Sequence, residues 1–217
     1  PEHRVVKVIV GCHRDSLLKL DKWSRFPVIA RSFELKVGDN KVANPFGGQL
    51  FIQSSHKDWR KPVKASPAAP LQFANAVAMP TYVLGKDTPE SWMKAKQLPA
   101  PWVTLVGKQV ILHVQAHEAK KLADPKGLLE WWDKAMALED DLVALVRLAP
   151  ERVVPDRQIS AGFMHSGYPF MCWIDPSQKD SIDLPKLAKE GNWGFFHELG
   201  HNHQLSLIHI SEPTRRY

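Results

Sequence analysis

Two histidines four residues apart with a glutamate behind the first, His197-Glu198-Leu199-Gly200-His201, have the types and spacing to do chemistry. On a helix each residue turns about 100°, so His197 and His201 stand one turn apart on the same face. Two neutral imidazoles placed this way can bind one Zn²⁺ at about 2.0–2.1 Å. Glu198 leans over the same site without being a ligand. There it can take a proton from water activated by the metal and pass it to a leaving amine, the acid–base work of a peptidase. A random chain of this composition contains such a pattern roughly 2% of the time, so its surroundings matter. Phe195, Phe196 and Leu199 offer apolar side chains to bury the other faces, and Gly191 and Asn192 suit a helix start. Gly200 and Asn202 are poor helix formers; a glycine is tolerated where another element packs close. The competing reading is two surface histidines on an amphipathic helix.

His203 tempts as a further ligand. Six residues past His197 it lies about 240° round the helix and faces away, so it is expected to be a supporting or surface group. A catalytic zinc takes three protein ligands as a rule, so a third is expected further along the chain. Elsewhere, His165 and Tyr168 sit in a turn-like HSGYP stretch, where a tyrosine near a metal could donate to an oxyanion; packing of the loop against the core is the default. His113 and His117 also have i, i+4 spacing, but they straddle an expected strand end, which would separate them. Gly47-Gly48 lacks the ending of a phosphate loop and reads as a tight turn or close backbone approach. Cys12 and Cys172 show no CxxC spacing, so a thiolate zinc site is excluded, and two thiols or one long-range disulfide both remain open.

The elements that must position these residues change character along the chain. Residues 1–120 read as strands and turns, with extended apolar runs at 5–11, 31–53, 71–85 and 101–115 and a proline-rich surface loop at 61–70. Residues 123–150 carry the clearest helical pattern. Asp124 is the candidate N-cap and Pro125 fits the first position. Leu128, Trp132, Ala135, Met136, Leu142, Leu145 and Val146 form the apolar stripe; Arg147 sits in the last turn and Pro150 ends it. Trp131-Trp132 is read as core packing in preference to a sugar- or base-stacking platform. Residues 151–175 return to extended structure, and 183–193 form a short helix or turn. Strands first and helices later predict an α+β fold. The β-rich, sandwich-like part over 1–120 is expected to pack on a helical part over 121–204.

The chain has 217 residues, 44% of them hydrophobic and 24% charged, which matches an ordinary globular composition. No apolar run reaches the roughly 18 residues that span a membrane. The net charge of +6 is scattered without a basic block, so it reads as solvated surface and argues against nucleic-acid binding. There is neither an initiator methionine nor a visible signal peptide, and the chain is expected to start inside a longer parent.

At WGFFHELGHNHQ the chain resembles the metal-binding helix of the M60-like (enhancin-type) peptidases, close to their animal members related to the TRP-channel-associated factors. GCHRDSLLKLDKWSRFP (11–27), NPFGGQLFI (44–52), LPAPWVTLVGKQVIL (98–112) and MHSGYPFMCW (164–173) fall in the order those domains show, so the resemblance covers most of 5–204. It implies a zinc-dependent endopeptidase of the gluzincin kind with a zincin-like half. Several members of the family act on mucin-type glycoproteins. Residue by residue, it implies His197 and His201 as zinc ligands and Glu198 as general base. The family's third ligand is a downstream Glu, which has no counterpart here, so a chain of this length is expected to be feeble or inactive. The resemblance also allows a second function from another class, a non-catalytic regulator that contacts a membrane-protein partner. A retired enzyme loses a His or the Glu, and this chain keeps all three. A third class, a carbohydrate-binding module, is compatible with eight Trp but not argued for by them. The two main readings place the parent at the extracellular surface or at the cytoplasmic side of the plasma membrane.

LSLIHISEPTR (205–215) resembles translated sequencing-adapter DNA fused to a truncated gene. Authentic sequence is then expected to end at Gln204, and 205–217 form an artefactual tail. Glu212 and His209, tempting by position, are set aside as ligands on that ground.

Overall fold

A computed structural model describes residues 4–56, 70–144, 147 and 149–211. The chain divides into two compact units, Pro1–Ala76 and Val77–Tyr217.

In the first unit β1 (Arg4–Val10) lies between β2 (Arg31–Glu34) and β3 (Leu50–His56), antiparallel to both. The β-branched run of β1 makes it the central strand, and Val8, Val10 and Leu17 are buried. The NPFGG turn is held by Asn44, whose Nδ2 donates to the carbonyls of Val10 (3.1 Å), Ile29 (2.8 Å) and Gly47 (3.2 Å). Gly48 has φ +116°, and a Cβ there would stand 2.8 Å from Gly11 Cα, so the Gly-Gly pair does serve close backbone approach. A sandwich needs two facing sheets; among the described residues this unit holds one. The expected loop at 61–70 lies outside the described residues except for Pro70. Cys12 keeps its thiol, which donates to Gln49 Oε1 at 3.0 Å.

The second unit is built on a six-stranded mixed sheet. Its strands are β4 (Thr81–Val83), β5 (Trp102–Val106), β6 (Val110–Gln115), β7 (Glu151–Asp156), β8 (Met164–His165) and β9 (Phe170–Trp173). They run in the order β4-β5-β6-β7-β9-β8. The Gly107-Lys108 turn joins β5 to β6 as an antiparallel pair, and β6 then pairs in parallel with β7. The division expected at 120 therefore falls inside a hydrogen-bonded sheet. Of the extended run at 71–85, only β4 is a strand.

The helices are α1 (Pro89–Ala95), α2 (Ala116–Ala119), α3 (Pro125–Leu142), α4 (Ser177–Ile182), α5 (Leu184–Glu190) and α6 (Trp193–Ser211). They alternate with the strands, so the unit is mixed α and β instead of strands followed by helices. The core lies where α3 and α6 cover one sheet face. Leu128, Trp132 and Met136 of α3 and Phe195 and Leu199 of α6 are fully buried against Val103, Leu105, Leu112, Val153 and Phe170. Phe195 stacks on Phe170 with centroids 4.8 Å apart and meets Trp132 at 5.3 Å. Each such aromatic contributes some 150–250 Å² of burial, the main drive for docking α6. Trp131 packs on this cluster against Phe196, and Trp132 Nε1 donates to Ser181 O at 2.9 Å. Trp132 is thus a core residue, and Trp131 is half-buried against the core. Cys172 is a buried free thiol, its pKa pushed up by burial. No helix among the described residues is long and apolar enough to cross a membrane.

Helix α3 begins as its sequence dictates. Asp124 accepts from Gly127 N at 2.8 Å and Pro125 follows. Its end differs from the expected 150. The helix stops at Leu142, Ala144 takes φ +51°, and Leu142 is 85% exposed, off the apolar stripe. Arg147 lies outside the helix. Its guanidinium turns back to Asp140 and forward to Glu151, and those buried pairings displace the last turn. Leu145 and Val146 lie outside the described residues.

Candidate metal centre

Helix α6 carries the site, and its start is fixed locally. Gly191 ends α5 with φ +67°, and Asn192 then caps α6, its Oδ1 accepting from Phe195 N at 3.2 Å. Three pairs of residues one turn apart divide the helix surface. Phe195 and Leu199, continued by His203, face the core. His197 and His201 face outward. Glu198 and Asn202 lie on the flank between them and meet the turn that joins β8 to β9.

The outward pair is arranged as ligands would be. His197 Nε2 and His201 Nε2 approach to 3.2 Å, with ring centroids 4.7 Å apart and planes at 84°. Two nitrogens on a tetrahedral zinc at about 2.0–2.1 Å stand about 3.3 Å apart, so the two rings fit one ion. Trp193 lies over His197, centroids 4.8 Å apart and planes within 19°, which restrains that ring. Among the described residues no group of three His, Cys, Asp or Glu side chains could hold a metal. The His197–His201 pair therefore offers two candidate donors and no more among the described residues.

Glu198 is half-buried beside them. Its Oε2 accepts from Ser166 N at 3.0 Å. Asn202 holds the same turn: its Oδ1 accepts from Gly167 N at 2.8 Å, and its Nδ2 donates to Gly167 O at 3.3 Å and Glu151 Oε2 at 3.2 Å. Glu151 Oε1 in turn accepts from Arg147 at 2.6 Å.

His203 does face away from the metal pair, as its angle requires, but it is no surface group. It is 3% exposed; its Nδ1 lies 2.8 Å from Leu199 O and its Nε2 2.8 Å from Asp140 Oδ1, with Arg147 at 2.9 Å. Glu139 Oε2 lies 3.3 Å from Nδ1 yet makes no hydrogen bond among the described residues, because Nδ1 is already committed to Leu199. Burial pushes the Glu139 carboxyl up to about 7.

The other candidates are placed apart. His113 is buried on β6 between Thr104 (3.2 Å) and Arg152 (3.3 Å), while His117 sits exposed on α2 beside Glu118, so the strand end separates them. His165 Nδ1 meets Ser166 O at 2.9 Å, and Tyr168 is 62% exposed with Arg152 over its ring. Gly200 does not admit a packed neighbour: a Cβ there would meet nothing within 4 Å. Close packing occurs six residues earlier, at Gly194, where a Cβ would stand 3.2 Å from Met164 Sδ. A groove of about 550 Å³ lined by Glu118, Lys121, Asp124, Lys179 and Asp183 lies apart from the two histidines. Sequence reasoning missed Ser166, Gly167, Glu151 and the role of Asn202. The HSGYP stretch was the signal, but pairing it with α6 needed the fold.

Comparison with known proteins shows the family of the chain and its fold. Residues 75–214 match the family pattern of "Peptidase M60, enhancin and enhancin-like", and residues 1–66 that of the "N-terminal domain of M60-like peptidases". The chain is 38% identical to a TRPM8 channel-associated factor homolog of Xenopus laevis over 208 residues, 93% of this chain and 22% of the relative. It is likewise 38% identical to TRPM8 channel-associated factor 2 of Homo sapiens, over 92% of this chain and 21% of that protein. The chain thus spans about a fifth of the length of these relatives. In fold it is similar to the ZmpB metallopeptidase from Clostridium perfringens, with TM-score 0.58 and 17% identity, covering 92% of this chain and 46% of that one.

Proposed function

Since the chain belongs to the M60 peptidase family, enhancin and enhancin-like, we propose that it forms the zinc-binding part of an endopeptidase, with His197 and His201 as ligands and Glu198 as the acid–base. The observation that carries this is the 3.2 Å convergence of the two Nε2 atoms with the Glu198 carboxylate fixed alongside by Ser166 N. Zinc held there would supply Lewis acidity toward water and the scissile carbonyl. The protein supplies the proton path. Ser166 N engages Glu198 Oε2, leaving Oε1 to take the proton of the attacking water. As the C–N bond breaks, the same carboxyl gives that proton to the leaving amine nitrogen. Phe195 and Leu199, buried beneath, keep α6 from rolling the rings off the ion.

The third ligand in this reading is a Glu beyond Gln204, one or two dozen residues past His201 and on a second helix. The 205–217 tail is read as foreign to the native gene, which sequencing across Gln204 tests. Mucin-type glycoproteins are the substrate class this reading favours, which puts the site outside the cell. The names of the relatives support a second reading, a domain that contacts a channel of the TRPM8 type; that reading takes the domain as non-catalytic and puts it at the cytoplasmic side of the plasma membrane.

One experiment separates the two. Full-length protein and its Glu198→Gln variant are assayed for zinc content and for cleavage of a mucin-type glycoprotein. The peptidase reading expects about one zinc per chain in both, and a loss of cleavage of about 10²–10⁴-fold in the variant. No zinc in the wild type, or equal cleavage by both, would remove it, and co-purification with the channel would then favour the second reading.

A further inference from the structure

We propose that Asn202 is a positioning residue for Glu198, acting through the Ser166-Gly167 turn; this rests on the reading of Glu198 as the acid–base. The turn touches α6 at two places one helical turn apart. Ser166 N donates to Glu198 Oε2 (3.0 Å), and the next residue, Gly167, presents both its N–H and its C=O to the Asn202 amide (2.8 and 3.3 Å). A primary amide can answer both; a carboxylate cannot donate, and a methyl group can do neither.

Asn202 is itself anchored. Its Nδ2 also donates to Glu151 Oε2 (3.2 Å), and Glu151 is clamped by Arg147, whose side chain is 7% exposed. The path Arg147–Glu151–Asn202–Gly167 therefore ties a turn at the sheet edge, through the pairing of Arg147 with the buried Asp140, to α3. Gly167 takes φ +127°, a conformation other residues rarely adopt, so the turn has the shape that aims two successive amides at one helix flank. Ser166 N holds the carboxylate only while Gly167 is held. Without Asn202 the turn loses its tether and Glu198 regains its rotamers. A misplacement of about 1 Å can cost 10²-fold in rate.

The test uses full-length, zinc-loaded protein and three variants: Asn202→Ala, Asn202→Asp, and Asn202→Asp combined with Glu151→Gln. In the last the polarity of the 151–202 contact is reversed, so that residue 151 donates and residue 202 accepts. Asn202→Ala is expected to lower kcat about ten- to hundredfold with KM and zinc content unchanged. It should also speed amide exchange at Ser166 and Gly167 at least tenfold, with β5 and β6 amides unaffected. Asn202→Asp should be as impaired, and the double variant should recover part of both losses. If Asn202→Ala does not fold, Asn202→Asp against the double variant makes the same comparison. Wild-type kcat in Asn202→Ala, or unaltered exchange at Ser166, overturns the proposal. If the wild type cleaves nothing, the peptidase reading fails by itself; exchange at Ser166 then decides, faster in Asn202→Ala supporting the tether and unchanged exchange overturning it.

Discussion

Trp193 is 75% exposed, an unusual position for so large an apolar side chain, and its indole lies flat on the His197 ring. The stack limits the rotations that would turn Nε2 away from His201. Trp193→Ala is therefore expected to weaken zinc binding by about three- to tenfold, corresponding to the roughly 0.5–1.5 kcal/mol of an aromatic pair, without altering the melt of the metal-free protein. Titration calorimetry reads the affinity, and equal affinities would show that the stack plays no part. Glu139 gives a second prediction. Its carboxyl titrates near 7 when folded against an ordinary 4.5, with burial the main cause. Between those values the folded chain binds more protons than the unfolded chain, so stability falls as pH rises from about 4.5 to 7. Glu139→Gln should remove that slope. Urea unfolding at pH 8 should find the variant more stable by about 1–3 kcal/mol, and at pH 4 the two should match. A wild-type slope in the variant would mean the carboxyl is not held neutral.

Among the elements, α6 was the most legible, because its chemistry and its burial follow one period. His197 and His201, and Phe195 and Leu199, are each separated by one turn, and sequence spacing alone put them on different faces. The start of α3 was legible for a local reason, the Asp124-Pro125 cap. Its end was not, since Arg147 leaves the helix to pair with Asp140 and Glu151, and no local signal reports a tertiary ion pair. The partners of His203 and Asn202 were hidden in the same way: they come from α3, β7 and the β8–β9 turn, 35 or more residues away in sequence. Gly200 is the converse case. Its missing side chain is required by no neighbour, so Gly200→Ala should stabilise α6 by about 0.5–1 kcal/mol, seen as a higher melting temperature of metal-free protein. A lower melting temperature would reveal a contact at that face.

At the scale of the molecule, strand order decides what can stand alone. The sheet β4-β5-β6-β7-β9-β8, with α3 and α6 on it, has its own buried core inside Val77–Tyr217. That unit is expected to fold without 1–76 and to keep a cooperative thermal transition. Loss of cooperativity in the isolated piece would show that its core is completed from outside. The sequence suggested a break at 120 because the strand pattern gives way to a helical one there, and a parallel pairing such as β6 with β7 leaves no trace in local pattern. The three one-turn pairs of α6 have an evolutionary corollary. Substitutions between Phe195 and His203 disturb one pair at a time, whereas a single insertion or deletion swings everything beyond it by about 100° and breaks core, clamp and ring pair together. A descendant of this gene whose segment differs in length by one residue therefore cannot hold the three pairs in these relative positions, whatever letters it still spells.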